Sequence, residues 1–274
     1  MPLVVVLVEP AGPLNVGSVA RLCANFGVAE LRLVAPRCDH LGEEARRMAV
    51  HGGALLEQGR LFPTLSAALA DCRRVVASSG RRQGEPLPLL SPPAALRWLG
   101  QSSEAESTGK AGPPAPRALV FGREDRGLSN EELLQAGRLV TIDTAPARAQ
   151  QQAYGSLNLA QAAAILLHQW HERDRPQPRE PETAQGLAAA TEASAAAPEP
   201  CARGPLEALL GDAEDLLLEV GFLYPHTAAA RMAKLRALLQ RAQPGSEEVA
   251  LLRGMVRQLR WASSRRRADP GQTP

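Results

Sequence analysis

Residues 3–26 have the sequence LVVVLVEPAGPLNVGSVARLCANF, in which an apolar run leads through a loop rich in Gly and Pro into a helical pattern over 18–26. The run Leu3–Val8 is rich in β-branched residues and much shorter than the roughly 20 residues that span a bilayer, so it is predicted to be a buried strand rather than a signal or membrane segment. Apolar runs and helical patterns alternate in the same way as far as 157–171. This alternation predicts an α/β domain with a parallel sheet over residues 1–173.

The remainder of the chain has a different composition. Residues 174–204 are rich in Pro, Glu and Ala and cannot bury enough apolar surface to fold, so they are predicted to be a flexible linker, and 101–116 a surface excursion. Leucines and valines at helical spacing predict a small all-helical region over 205–264, followed by a disordered tail over 265–274. The basic residues of this region suit either phosphate binding or solvated helix faces, and the sequence leaves both open: Arg231, Lys234, Arg236, Arg241, Arg253, Arg257, Arg260 and 265–267.

Composition narrows the class of protein. With 274 residues and 45% hydrophobic residues, the chain is long and apolar enough to exclude disorder of the whole. The net charge of +2 gives no indication of a polyanionic partner. Of the 31 basic residues, 29 are Arg, and this enrichment is explained either by phosphate binding or by a GC-rich coding sequence. The four cysteines are widely spaced and the histidines lack metal spacing, so we expect no metal site and a reducing compartment such as the cytoplasm.

Three loops rich in Gly, Asn and Ser carry the candidate chemistry, and each adjoins a predicted strand or helix. In the first, residues 9–21, Asn15 and Ser18 suit helix caps. Arg21 is different, because an Arg close to a helix N-terminus makes an anion site, although a solvated Arg is the alternative.

The second loop, residues 121–132, has the sequence FGREDRGLSNEE. Its two glycines allow a ligand to approach the backbone closely, and Ser129 with Glu132 is predicted to form a capping box. Glu124 lies between arginines and is suited to orienting a catalytic Arg or Asn, with a surface ion pair as the alternative. In the third loop, residues 154–160 (YGSLNLA), Ser156 suits a cap, whereas Asn158 calls for a polar partner.

Together the loops resemble the signature motifs of the SpoU/TrmH branch of the SPOUT-class RNA 2′-O-ribose methyltransferases. The matching motifs are N-x-G-x-x-x-R at Asn15, Gly17 and Arg21, F-G-x-E-x-x-G-L at 121–128, and S-L-N at 156–158. Residues 75–81 and segments near 219–223, 234–242 and 251–255 are similar to the TrmJ-like tRNA methyltransferase subgroup. The resemblance covers nearly the whole chain apart from the linker and the 101–116 excursion.

The resemblance implies a deep trefoil knot in the α/β domain, a homodimer, and S-adenosyl-L-methionine bound in the knot at the subunit interface. By the same carry-over, the cofactor pocket is expected to be lined by Ser78, Ser79, Gly80, Gly122, Ile142, Gly155, Ser156 and Leu157. The stretch 144–153 is longer than the family usually has, which affects the lining near Gly155.

For catalysis, the resemblance points to Arg21, as a general base or, more easily for a guanidinium, as a stabiliser of the developing alkoxide. Asn15 and Glu124 are expected to position it. Ser156 and Asn158 are expected to shape the pocket, and Arg21, Arg81 and Arg123 to contact RNA.

The resemblance favours tRNA as the substrate, with cytidine or uridine at position 32 of the anticodon loop as the target. Ribosomal RNA and a non-catalytic RNA-binding role on the same fold are the alternatives. A nicotinamide-dependent dehydrogenase does not fit, because the glycines of the first loop do not form G-x-G-x-x-G.

Overall fold

A computed structural model describes residues 2–80, 87–101, 115–144, 157–173 and 199–268. Within these ranges seven strands form one sheet: β1 (Leu3–Val8), β2 (Glu30–Val34), β3 (Arg60–Phe62), β4 (Arg74–Ser78), β5 (Leu89–Leu90), β6 (Arg117–Phe121) and β7 (Arg138–Val140). Their order is β3-β2-β1-β6-β4-β7-β5, and every neighbouring pair is parallel. The predicted parallel α/β sheet is therefore confirmed.

The central strands are buried on both faces, which explains their continuous apolar sequence. In β1, Val5 and Leu7 belong to the core on one face of the sheet, whereas Val4 and Val6 belong to the core on the other. Successive side chains of a strand point to opposite faces, so a single run of valines and leucines supplies both cores.

Helices cover the two faces unequally. The first core receives α1 (Pro13–Asn25), α2 (Glu43–Ala49), α3 (Gly53–Glu57), α5 (Pro92–Gly100) and α7 (Leu159–Glu172). The second receives the short helices α4 (Leu65–Leu69) and α6 (Asn130–Leu133). A 3₁₀ turn at Val50–Gly52 joins α2 to α3.

Close packing of α1 against α2 depends on Gly17. A Cβ atom at this position would lie 2.1 Å from the carbonyl oxygen of Ala45, which no side chain can occupy. The glycine of the first motif therefore has a packing role.

The C-terminal part consists of α8 (Arg203–Glu219), α9 (Pro225–Ala242) and α10 (Ser246–Ala268) around a leucine-rich core. Two of the sequence-based boundaries are wrong. The helix α10 continues to Ala268 rather than ending at 264, because Ser, Arg and Ala are compatible with a helix. Residues 199–204 are packed against the sheet domain instead of belonging to a linker; 174–198 and 269–274 lie outside the described residues.

This packing begins with backbone and ionic contacts. The amides of Arg203 and Gly204 donate to the carbonyl oxygens of Cys72 (3.1 Å) and Ala70 (2.9 Å). Glu199, with a side chain only 6% exposed, forms a 3.0 Å ion pair with Arg73. The helical part is thus anchored where α8 begins.

Three adjacent strands begin with an arginine at the amino edge of the sheet: β4 with Arg74, β6 with Arg117 and β7 with Arg138. The guanidinium groups of Arg74 and Arg138 lie 5.0 and 5.1 Å from the centre of the Trp98 ring. With its amide turned to face donors, Gln243 accepts hydrogen bonds from Arg138 and Trp98, which links the helical part to this edge.

None of the described helices is long and apolar enough to cross a membrane.

Candidate active site

The three motif loops meet at the carboxyl edge of the sheet. The first follows β1 and the second follows β6, and these two strands are neighbours with Leu7 paired to Phe121. The third leads into α7, which packs against α1. Parallel α/β sheets bind ligands outside this edge, so the loops lie where a site is expected.

A chain of hydrogen bonds joins one residue from each loop. Asn15 donates from Nδ2 to Glu124 Oε1 (3.1 Å) and accepts at Oδ1 from Asn158 Nδ2 (3.0 Å). Glu124 also accepts from the backbone amides of Ala11 (3.0 Å) and Gly12 (3.1 Å). Asn15 is thereby fixed relative to two residues that are each more than a hundred positions away in sequence.

The Glu124 carboxylate is held in its charged form. Partial burial alone would raise its pKa, but hydrogen bonds from Ala11, Asn15 and Gly12 outweigh this and hold the pKa below its usual value. The sequence-based alternative of a surface ion pair is wrong, because the arginines on either side of Glu124 bind Glu9 and Asp125. The sequence suggested that Glu124 orients either an Arg or an Asn, and in the structure it orients Asn15.

The helix caps differ from those expected. Pro13 is at the start of α1 with Gly12 as its N-cap, so Asn15 and Ser18 lie inside the helix, where Ser18 donates to the carbonyl of Leu14. Asn158 is the N-cap of α7 and forms a capping box with Gln161. Its oxygen binds the Ala160 amide while its amide group binds Asn15, so one side chain has both a structural and a site contact.

The capping box predicted in the second loop is confirmed. The Ser129 side chain accepts from the Glu132 amide, and the Glu132 carboxylate accepts from the Ser129 amide. This box fixes the exit of the loop from the site.

Beside the hydrogen-bond chain lies a cavity of about 320 Å³. Its lining includes six of the eight residues expected to bind the cofactor: Ser78, Ser79, Gly80, Gly122, Ile142 and Leu157. Gly155 and Ser156 lie outside the described residues. The remaining wall comes from the second loop and from Leu159 and Ala162 of α7.

The two glycines of the second loop shape this cavity. A Cβ on Gly122 would lie 2.3 Å from the carbonyl carbon of Gly127, and Gly127 has a φ of +68°, which side chains rarely adopt. Hydroxyls, backbone groups and apolar walls surround a space in the range of small-molecule sites. A lining of this kind can hold a small organic cofactor, as the family resemblance predicts.

Arg21 lies outside the cavity lining. It is in the third turn of α1 rather than the first, so the helix dipole does not create an anion site at it. Its side chain is exposed and makes no hydrogen bond or ion pair with the residues that the structure describes. It shares the exposed face of α1 with Leu14, which is 50% exposed.

Arginines at the cavity rim gather around one acid that the sequence reasoning missed. Glu9 Oε2 lies 2.8 Å from Arg37 Nη2, 3.0 Å from Arg126 Nη2 and 3.5 Å from Arg123 Nη1. Arg123 also forms two 2.5 Å hydrogen bonds with Asp125, which lower the pKa of that carboxyl to about 2. An acid directly after a buried strand was the available signal; Arg81 is outside the described residues.

Within the described ranges no group of three or more His, Cys, Asp or Glu side chains is arranged to hold a metal ion.

Residues 2–168 match the SpoU rRNA Methylase family. The chain belongs to the SpoU methylase family. Residues 205–272 match the C-terminal domain of the tRNA methyltransferase TrmJ. Membership of the SpoU family implies the use of S-adenosyl-L-methionine, which agrees with the cavity and its expected lining.

Several tRNA methyltransferases and their structures are similar to the chain over nearly its full length. The tRNA (cytidine/uridine-2'-O-)-methyltransferase TrmJ of Cronobacter sakazakii is 34% identical over 261 residues, covering 92% of this chain and 93% of the relative. The enzyme of the same name from Escherichia coli strain K12 is 33% identical, covering 97% and 98%. The crystal structure of TrmJ from Z. mobilis ZM4 has 29% identity and a TM-score of 0.71, covering 94% of this chain and 99% of that one.

Proposed function

We propose that this protein transfers the methyl group of S-adenosyl-L-methionine to a ribose 2′-hydroxyl of tRNA. The observation that carries the proposal is the hydrogen-bond chain Glu124–Asn15–Asn158, which ties all three family motifs to the mouth of one cavity. The names of the full-length relatives support tRNA as the substrate.

The chain's own residues have three tasks in this reaction. Gly122 and Gly127 let the second loop fold tightly on itself as one wall of the cavity for the cofactor, which would supply an activated methyl group. Glu124, charged and fixed by backbone amides, holds Asn15 and through it Asn158, so that these amides present a fixed polar surface to the ribose. Arg21 stabilises the oxyanion that forms as the 2′-hydroxyl passes its proton to a phosphate of the RNA, from which it is released to water.

The exposed position of Arg21 supports a homodimer as part of the proposal. In one chain Arg21 is on an open face of α1 with the half-exposed Leu14, outside the cavity lining. A second copy on this face would bury Leu14 and bring arginine side chains to a shared site. Light scattering of the wild type should give twice the chain mass, and Leu14→Arg should give the single mass with reduced transfer; an active wild-type monomer would contradict the dimer.

The trefoil knot, the target nucleotide and the role of the helical region are further parts of the proposal. The family match supports the knot, and the relatives' names support cytidine or uridine, with position 32 of the anticodon loop as the nucleotide that we propose. The match of 205–272 supports an RNA-binding extension. We also propose that the protein is located in the cytoplasm, where tRNA is modified.

The test uses the purified protein with methyl-labelled cofactor and three RNA pools: bulk tRNA, small-subunit rRNA and large-subunit rRNA. Labelled tRNA with ribose methylation mapped to the anticodon loop is the expected result. Gly122→Ala is the inactive control, because its Cβ would clash with the backbone of Gly127 and Leu128 and displace this wall of the cavity. Labelling of rRNA alone would favour the rRNA alternative, and no labelling of any pool would leave a binding protein.

A further inference from the structure

We infer that Arg37 and Arg126, which are gathered with Arg123 around Glu9, form a site for a backbone phosphate of the RNA beside the cavity, with Glu9 as the positioning residue. This group of four residues is called the Glu9 cluster below. The inference deepens the proposed function and rests on it.

The cluster is built from the carboxyl ends of three neighbouring strands. Arg37 follows β2, Glu9 follows β1 directly, and Arg123 and Arg126 follow β6. Nitrogens of all three guanidinium groups converge on the same oxygen, Glu9 Oε2, at 2.8, 3.0 and 3.5 Å. Arg123 and Arg126 also line the cavity, so the cluster is at its rim.

The backbone at Glu9 is unusual. Its φ is +47°, in the left-handed region that residues other than Gly rarely adopt, and its amide donates to the carbonyl of Val34 (2.8 Å). Arg37 is held in turn by a 2.9 Å hydrogen bond from its amide to the carbonyl of Pro10. Such conformations cost free energy and are concentrated at functional sites.

Two arginines of the cluster, Arg37 and Arg126, keep unused donors that face solvent. A guanidinium has five N–H donors, whereas Arg37 and Arg126 reach acids in the described residues through Nη2 alone. Their side chains are 54% and 44% exposed, while Glu9 is 22% exposed. Glu9 thus holds the inner nitrogens and leaves the outer edges for a second oxyanion.

A phosphate is the ligand that these donors fit best. Arginine forks match phosphate oxygens in geometry and charge, and phosphate contacts position a nucleic acid without identifying its sequence. Nearby acids Asp125 and Glu132 offset the positive charge, so the site depends on fixed donors more than on long-range attraction. A phosphate held at the rim would set the distance of the adjacent ribose from the cavity.

The experiment measures binding of an unmodified tRNA transcript at several salt concentrations. The double variant Arg37→Gln/Arg126→Gln should weaken binding roughly tenfold and reduce the salt slope by about 0.7–0.9 per lost phosphate contact. Arg47→Gln is the control, because Arg47 is exposed, pairs with Glu43 within α2 and does not line the cavity. Cofactor binding, followed with S-adenosylhomocysteine, should be unchanged in Arg47→Gln and in the single variant Arg37→Gln, because neither residue lines the cavity.

Glu9→Gln separates positioning from plain electrostatics by the sign of its effect. Removing one negative charge should tighten tRNA binding if Glu9 only neutralises its neighbours. If Glu9 positions the arginines, the KM for tRNA should rise and binding should weaken despite the added positive charge, with kcat changing less.

Three outcomes would overturn the inference: an unchanged salt slope in the double variant, tighter tRNA binding by Glu9→Gln, or a selective loss of S-adenosylhomocysteine binding, which would assign the arginines to the cofactor carboxylate. If the wild type methylates tRNA and the double variant binds tRNA normally, the phosphate site is contradicted and the proposed function is not. A wild type that methylates no tRNA would contradict the proposed function.

Discussion

Arginines lie at both ends of the same parallel sheet, and the two ends use them differently. At the amino end, Arg74 and Arg117 are buried, and Arg74 stacks on Trp98. At the carboxyl end, Arg37 and Arg126 are about half exposed and share one acid. Burial commits an arginine to a fixed set of protein partners, whereas exposure leaves donors for a ligand.

The direction of the pKa shifts follows the same division. Desolvation lowers the pKa of Arg138 at the amino end. It also lowers the pKa of Arg203, where α8 begins, to about 10. At the carboxyl end the hydrogen bonds with Asp125 raise the pKa of Arg123. The shifts therefore report burial at the amino end and ion pairing with Asp125 at the carboxyl end.

The amino end should dominate stability. Trp98→Ala removes a ring that is 9% exposed and contacts Arg74, Arg138 and Gly137, so the free energy of unfolding should fall by about 3–5 kcal/mol. Denaturant titration measures this loss. Trp261→Ala, at a position 50% exposed, is the control and should change the free energy by less than about 1 kcal/mol. Equal losses of unfolding free energy in Trp98→Ala and Trp261→Ala would contradict the special contribution of the amino end to stability.

The carboxyl end should dominate turnover. Arg21→Ala should lower methyl transfer by roughly 10²–10³-fold, equivalent to about 2.7–4 kcal/mol, because it removes the proposed stabiliser of the oxyanion. Its melting temperature and its affinity for S-adenosylhomocysteine should stay at the wild-type values, since Arg21 is exposed and outside the cavity lining. Arg47→Ala on α2 is the control. Near-normal turnover of Arg21→Ala would remove Arg21 from the mechanism.

Glu124→Gln should lower both turnover and stability, with a cost of roughly 1 kcal/mol once solvent screening of this exposed loop is considered. The pKa of Glu124 is lowered in the folded protein, so its contribution is complete above the unfolded value of about 4.3 and is lost as the pH falls through the lower folded value. The difference in unfolding free energy between the wild type and Glu124→Gln should therefore be full at pH 7 and shrink below about pH 4. A difference independent of pH would show that the charge of Glu124 is immaterial.

The carboxyl end was accessible to sequence reasoning because its residues lie in short loops with recognisable spacing. The sheet and the Ser129–Glu132 capping box followed from local patterns, whereas the six described cavity residues were implied by the family resemblance of the motifs. The double contact of Asn158 did not, since its link to Asn15 exists only once α1 and α7 pack together. Glu9 was missed because a single acid after a strand has no distinctive spacing.

The amino end was not accessible in this way. Arg74 and Arg117 come directly before the apolar runs 75–78 and 118–121, and because arginine is rarely buried, these runs alone do not reveal that the strands begin one residue earlier. The helices over 43–57 and 92–100 were missed because they are short and interrupted by Gly and Pro. Likewise, the docking of 199–204 depends on Arg73, Ala70 and Cys72, which local composition does not reveal.

The smallest effects separate two kinds of arginine within the helical part. Of the residues there that suit phosphate binding, four are paired with acids of α8: Arg236 with Glu207, Arg253 and Arg257 with Asp212, and Arg260 with Asp215 and Glu219. Arg241, in contrast, is exposed and has no ion pair or side-chain hydrogen bond within the described residues. Paired arginines would have to give up their partners before binding RNA.

Arg241→Gln should therefore weaken binding of a tRNA transcript a few-fold and reduce the salt slope by about 0.7–0.9, as expected for one phosphate contact. Arg257→Gln should leave the slope unchanged and lower the unfolding free energy by at most about 1 kcal/mol, because it removes one exposed pair with Asp212 while Arg253 keeps another. The two variants carry the same charge change on neighbouring helices, so a difference in slope reports contact rather than net charge. If both variants reduced the slope equally, ion pairing within the helical part would not decide which arginines reach RNA, and the affinity would depend on the overall charge of this region.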